Sequence, residues 1–442
     1  MFLELMVENF MSFREPSTFS LIATSDKELI NDQVVSVNDK LGVLKTATIY
    51  GANASGKTNF LHAAAFIKDF IINSSKESQQ GDLIDVNPFM FNTASENEAS
   101  TFEITFVAEN IIYRYGFEVS RYKVESEWLF ARYSSRETML FIREDQDISI
   151  GLKFKEGKKF VDAVRENALF LSVCAQFNGE ISISILNWFR YLNVISSLDN
   201  SYVTATIEML ENEDQVFDVH KQQLLSLMTG IDVGIQDISL RKNDIKHVMR
   251  NLDRLPARLV EDILNSVKNV DEKDWVAELD KYGLVSHEVE ALHKKFDENG
   301  NFVGSVSHDF GIESRGTQKI FELAGPIIDT MISGGILFID EIQNSLHTKL
   351  VVGLVEFIIK NKLNKNAQFV FTTHDVNILA SKLMRRDQFW FVDKNEYGES
   401  EMTCLVDFDE HVRKDANLDK DYLRGRYGAI PFVSLEDSYG DR

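Results

Sequence analysis

The stretch GANASGKT, Gly51 to Thr58, constrains this chain more than any other. It satisfies G-x-x-x-x-G-K-[ST] in full, in the strand–loop–helix context that the pattern requires. KTATIY, Lys45 to Tyr50, reads as a short apolar strand ahead of it. A helix from Lys57 to about Phe70 follows, with Phe60, Ala63, Ala64 and Ile67 on one face. A glycine loop in this position turns backbone N–H groups inward, where they cradle phosphate oxygens. Asn53, Ala54, Ser55, Gly56, Lys57, Thr58 and Asn59 are therefore the expected nucleotide contacts. Gly56 lets the backbone approach closely, Lys57 is placed for the β- and γ-phosphates, and Thr58 for Mg²⁺.

ILFIDE, Ile336 to Glu341, supplies a second half. Four apolar residues predict a buried strand that presents two acids at its C-terminal end. Asp340 is expected to hold Mg²⁺ through water, and Glu341 to orient and deprotonate an attacking water. FVFTTHD predicts another buried strand beside it, ending in His374, expected to contact the γ-phosphate. Lys57 and Asp340 lie 283 residues apart (340 − 57). One βαβ step needs only about 30. The nucleotide site must therefore be assembled from both ends of the chain.

The remaining sequence is read around that split. Residues 1–160 are expected to hold the first half of an α/β head, including an antiparallel β subdomain. In IIYRYGFEV the residues Tyr113, Tyr115, Phe117 and Val119 share one face, which is period-two patterning. Residues 161–300, with few glycines and alternating apolar and charged clusters, predict a mainly helical insertion. Residues 301–442 return to strand, helix, strand with continuous apolar strands, which means a parallel sheet covered on both faces. Lys246, Arg250 and Arg254 fall at i, i+4 spacing, and Arg258 extends the series past Pro256. A helix would align them as a solvated stripe or as a surface for nucleic acid.

Composition excludes several classes. The chain has 442 residues with a formal charge of −22, so it is not built for indiscriminate binding to phosphate backbones. Two cysteines, Cys174 and Cys404, form no CxxC pair, which argues against a zinc or disulfide framework and fits a reducing cytosol. MFLELMVENFMSF lacks a basic n-region, so no secretory signal is expected. The longest apolar candidate, Gly325 to Ile339, is interrupted by Asp329, so no membrane span is expected and a cytoplasmic location is.

These residues resemble the ABC-type ATPases, the group that includes SMC proteins, RecF and OLD nucleases. NFMSF (Asn9 to Phe13) resembles the N-terminal strand motif of that branch, GANASGKT its Walker A, and ILFIDE its Walker B. ESRGTQ (Glu313 to Gln318) resembles a degenerate signature motif, NSLH (Asn344 to His347) the D-loop, and His374 the switch histidine. Within the group, the chain resembles the stand-alone bacterial ATPases of the RloA and AbiL type. It shares with them Pro88-Phe89, YRYGFE, ESxGT, IDEIxxSLH, TTHD and GRYGAIP (Gly425 to Pro431). Two features depart from the group: Arg315 stands within the signature, and no Q-loop glutamine is identified near Pro88.

The resemblance implies ATP with Mg²⁺, hydrolysed in a dimer of two heads. Ser314 and Gly316 of one subunit would touch the γ-phosphate held by Lys57 of the other; Ser314 is also placed to cap the following helix. It further implies an ATPase subunit of a bacterial defence system against phage, acting on a separate effector such as a Toprim-type nuclease. Few residues follow His374, so no nuclease domain within this chain is expected. The alternatives are a DNA-repair or chromosome-associated ATPase acting directly on DNA, a transporter subunit, and a pseudo-ATPase scaffold.

Overall fold

The computed structural model describes residues 1–196, 202–211, 215–231, 234–242, 287–408 and 416–430. The chain divides into two compact units, Met1–Asp199 with Thr330–Arg442, and Asn200–Asp329.

The first unit carries the α/β head on a six-stranded sheet. Its strand order is Leu192–Ile195, Ile336–Ile339, Gln368–Thr373, Thr46–Gly51, Phe389–Lys394 and Ser400–Cys404. The first five run parallel and the last antiparallel. Ile336–Ile339 and Gln368–Thr373 are buried at every position, as continuous apolar strands in a doubly covered sheet should be. The central strand, Thr46–Gly51, is paired on both sides by segments more than 300 residues later, so the head is closed by the two parts of the chain together.

A second, wholly antiparallel sheet has seven strands, ordered Asp147–Ile150, Glu137–Glu144, Val124–Arg132, Ile111–Val119, Ser100–Ala108, Phe2–Glu8 and Ser17–Ser20. Tyr113, Tyr115, Phe117 and Val119 all lie buried on it. The helix Lys57–Asn73 belongs to the core that both sheets share. Its Phe60 packs at ring distances of 5.3 Å from Phe19 and 6.5 Å from Phe338, one on each sheet. Gln368 ties the sheets by polar contacts: its side chain accepts from Phe2 N (2.6 Å) and donates to Phe2 O (2.9 Å). A buried side-chain amide satisfied on both of its ends fixes register where apolar packing alone would allow sliding.

Two helices of this unit start on carboxylates contributed from elsewhere in the chain. Glu127 accepts from Phe170 N (2.6 Å) and Leu171 N (3.0 Å), at the head of Phe170–Gln176. It also accepts from the Tyr115 hydroxyl and lies 3.6 Å from Arg143, all of it fully buried. Glu156 caps Glu180–Arg190 by accepting from Ile181 N and Ser182 N, both at 3.0 Å. Each supplies acceptors to first-turn amides that the helix itself leaves unpaired.

The second unit contains helices Tyr202–Glu211 and Gln215–Ile231 and most of Arg315–Ser333. It also holds a three-stranded antiparallel sheet ordered Ile235–Lys242, His287–Phe296, Phe302–Asp309. Pro326 lies inside the long helix and removes one backbone donor. Beside that gap the buried Thr206 hydroxyl donates to Phe321 O (2.9 Å) and accepts from Gly325 N (3.0 Å). A side chain at Gly325 would collide with this hydroxyl, so the glycine permits the insertion.

Over 161–300 the described residues hold the helices Phe170–Gln176, Glu180–Arg190, Tyr202–Glu211 and Gln215–Ile231, interspersed with strands. Leu192–Ile195 is a strand of the head sheet, and Ile235–Lys242 and His287–Phe296 pair with each other. Strand pairing there overrides a composition rich in helix-forming Glu, Lys and Ala. Lys246, Arg250, Arg254 and Arg258 lie outside the described residues, as does Pro431. No helix among the described residues is long and apolar enough to cross a membrane.

Candidate nucleotide site

The loop of GANASGKT leaves the end of the central strand and enters the helix Lys57–Asn73. Gly56 has φ of 116°, a backbone conformation that L side chains rarely adopt. A Cβ there would meet the hydroxyls of Ser400 and Ser12 at 2.3 and 2.8 Å. Those two serines brace the loop: Ser400 Oγ donates to Ser55 O (2.5 Å), and Ser12 Oγ accepts from Asn59 Nδ2 (2.8 Å). Ser12 belongs to NFMSF, so that motif reaches the loop through a hydroxyl. No side chain caps the helix at Gly56. Its first-turn amides and the positive end of its dipole remain available to an anion, as phosphate binding requires.

Lys57 is buried, and its ammonium donates to Gly51 O (2.8 Å) and Ala52 O (2.9 Å). Burial lowers its pKa, opposed by the nearby negative charges of Glu341 and Asp340. Ser55 and Gly56 are buried with it, Thr58 and Asn59 half-buried, and Asn53 and Ala54 exposed.

Asp340 and Glu341 follow the strand Ile336–Ile339, which is separated from the central strand by Gln368–Thr373. Thr58 Oγ1 lies 3.0 Å from Asp340 Oδ2, which joins the two expected Mg²⁺ ligands from opposite parts of the chain. A hydroxyl and a carboxylate form an all-oxygen donor set of the kind that suits a hard divalent cation. The residues present therefore fit Mg²⁺, which Thr58 and Asp340 would hold.

Three groups not foreseen from sequence organise this corner. Thr372 Oγ1 donates to Asp340 Oδ1 (2.6 Å) and accepts from Glu341 N (2.7 Å), so one buried hydroxyl orients the Asp340 carboxylate and anchors the Glu341 backbone. Glu341 itself has φ of 48°, the left-handed region, which turns the chain sharply at the strand end. Thr373 Oγ1 donates to Gln343 Oε1 (2.6 Å), and Gln343 Nε2 lies 3.1 Å from His374 Nδ1. With its amide oriented by Thr373, Gln343 donates to Nδ1. A neutral His374 then carries its proton on Nε2 and offers it as a donor. Paired threonines before the histidine, and a glutamine two residues after the acids, were the available signals.

The structure thus brings Lys57, Thr58, Asp340, Glu341 and His374 into one unit. Ser314 and Gly316 belong to the other unit. There Ser314 is exposed and its hydroxyl accepts from Thr317 N (3.1 Å), capping the helix Arg315–Ser333. Gln318 Nε2 secures the preceding turn by donating to Gly311 O (2.9 Å) and Glu313 O (3.1 Å).

Among solved structures the chain is similar to the SMC head bound to the C-winged helix domain of ScpA, with 13% identity and a TM-score of 0.43. That likeness covers 91% of this chain and 96% of the other. It is also similar to the SMC head domain from Thermotoga maritima, at 11% identity, TM-score 0.39, covering 91% and 98%. A third is the SMC head domain with an extended coiled coil bound to the C-terminal domain of ScpA derived from Pyrococcus furiosus, at 13% identity, TM-score 0.39, covering 91% and 95%. No curated protein matches the chain. A family model described as "AAA domain, putative AbiEii toxin, Type IV TA system" matches residues 47–380, a span that runs from the central strand past the switch-like histidine. The chain belongs to this AAA-domain ATPase family.

Proposed function

We propose that this chain binds ATP with Mg²⁺ in the Gly51–Thr58 loop and hydrolyses it to ADP and phosphate. The observation that carries the reading is the hydrogen-bond network of Thr58, Asp340, Thr372 and the Glu341 backbone beside the Lys57 loop. Mg²⁺, when bound, neutralises charge on the phosphates. Lys57 leaves its carbonyl partners for the β- and γ-phosphates, and Asn53 to Asn59 enclose them with backbone N–H groups. Glu341, fixed by Thr372, orients the attacking water and takes its proton. His374 donates from Nε2 to the γ-phosphate.

The site is completed in trans. Ser314 and Gly316 of a second copy contact the γ-phosphate at the head of a capped helix, so ATP closes a homodimer and hydrolysis opens it. The cycle serves as the sensing and regulatory part of an anti-phage defence system, controlling an effector encoded nearby; the sequence resemblance and the family description support that setting. Glu341→Gln tests the chemistry. The variant should bind ATP, accumulate as dimer and turn over at least about 100-fold more slowly. Turnover at the wild-type rate would remove Glu341 as the base. Ser314→Arg should leave ATP binding by the monomer intact and abolish both dimer closure and hydrolysis; loss of monomer binding would return Ser314 to a helix cap alone.

A further inference from the structure

The second unit holds a cluster that the nucleotide site does not use. His293 on the strand His287–Phe296 and His308 on Phe302–Asp309 are diagonal neighbours, since His293 pairs with Val306. Alternation along paired strands puts positions 293 and 308 on one face. Their rings stack 4.8 Å apart at 22°. Glu313 meets both: its Oε1 lies 2.7 Å from His293 Nε2 and 3.2 Å from His308 Nε2. Its carboxylate is only 9% exposed, against 21% and 31% for the two imidazoles.

The contacts of His308 set the direction in which its second nitrogen points. His308 Nδ1 lies 3.0 Å from Asp309 O, and a backbone carbonyl only accepts, so Nδ1 carries the proton. In a neutral ring Nε2 then presents a lone pair, and it presents it to a carboxylate oxygen. Two acceptors facing each other at 3.2 Å form a pair that a shared cation would bridge. A ring held by an Nδ1–H to carbonyl bond, which leaves Nε2 to ligate, is the arrangement found in histidine metal ligands. One ligand atom from each of the three residues lies within 4.8 Å of the others. A tetrahedral ion with ligand bonds near 2.1 Å separates its ligands by roughly 3.4 Å, so small side-chain rotations suffice.

We propose that His293, His308 and Glu313 bind a divalent transition ion of the zinc type. Two neutral imidazoles and one carboxylate are a borderline donor set, suited to Zn²⁺, Fe²⁺ or Co²⁺ and poorly suited to Mg²⁺ or Ca²⁺. Three protein ligands leave at least one position for water or another donor. The site clamps the two strands to the turn that precedes Ser314. It stands independently of the ATPase reading, because all three ligands lie within the second unit.

The test is a Co²⁺ titration of the untagged full-length chain after chelator treatment and dialysis, without nucleotide. The wild type should take up one Co²⁺ per chain with visible d–d absorption of a low-coordinate ion, and stoichiometric Zn²⁺ should bleach it. His308→Ala and Glu313→Gln should each weaken binding at least about 100-fold, beyond the cost of losing an outer-sphere partner. Circular dichroism in chelator checks that they fold. His308→Cys gives a readout that misfolding cannot mimic, since it should retain Co²⁺ and gain near-ultraviolet thiolate-to-metal charge transfer. Absence of saturable absorption in the wild type would overturn the proposal. So would unchanged binding by folded His308→Ala, or a His308→Cys protein without the charge-transfer band.

Discussion

Replacing Thr372 by valine keeps the shape of the side chain and removes one hydroxyl. That hydroxyl is fully buried, accepts from Glu341 N at 2.7 Å and donates to Asp340 Oδ1 at 2.6 Å. Loss of the acceptor strands a partly buried N–H, at a cost toward the lower end of about 1 to 3 kcal/mol, and loss of the donor removes a charge-assisted bond of about 1.5 to 3 kcal/mol. Valine recovers part of this through its extra apolar carbon, which is worth about 0.8 kcal/mol when buried. The expected loss of unfolding free energy is therefore about 2 to 4 kcal/mol, read by urea denaturation in chelator. The functional consequence is separate. Both acids lose their support, so the Mg²⁺ concentration for half-maximal ATP turnover should rise about 10- to 100-fold, as for other outer-sphere changes. Thr372→Ser should restore most of both quantities. A valine variant with wild-type stability and wild-type Mg²⁺ dependence would refute the claim that this hydroxyl organises the acids.

Other outcomes follow from described contacts. Gln343→Leu frees His374 Nδ1, so the tautomer is no longer enforced; ATP binding should persist while turnover falls about 10- to 100-fold, measured by phosphate release. Glu127→Ala removes a buried carboxylate that holds two helix amides and faces Arg143, and should destabilise the first unit by about 3 to 5 kcal/mol in denaturant titration. The two thiols should be silent to Ellman's reagent at pH 8 in the native state and both react after denaturation. Burial pushes Cys404 up to about 12 and raises Cys174 as well, so neither forms thiolate until unfolding returns it to an ordinary value.

Much of the head was legible because its sequence signals are local. GANASGKT declares its loop, and ILFI and QFVFTT are continuous apolar runs that a covered parallel sheet demands. The insertion was less legible for a physical reason. In HEVEALHKKF the residues Val289, Leu292 and Phe296 recur at helical spacing, while Ala291 is fully buried and none of those three is. The strand exists because partners on both sides pair with it, and pairing is invisible in one segment read by itself. Leu192–Ile195 is four residues long, too short for a period to show. Thr372 and Gln343 escaped notice because a hydroxyl or an amide acquires meaning only from the groups that its neighbours place around it.

The placement of the P-loop strand has a temporal consequence. Thr46–Gly51 emerges from the ribosome well before its two flanking strands, Gln368–Thr373 and Phe389–Lys394. The interval from Gly51 to Gln368 is 317 residues (368 − 51), which at about 5 to 20 residues per second means roughly 15 to 60 s of synthesis. During that time a strand whose every residue is destined for burial has no edge to pair with. The antiparallel meander from Ser100 to Ile150, built from neighbouring hairpins, has no such wait. Synthesis therefore passes through a chain with one sheet formed and the phosphate-loop strand still bare. In that interval the future nucleotide site is the part of the molecule most exposed to misassociation.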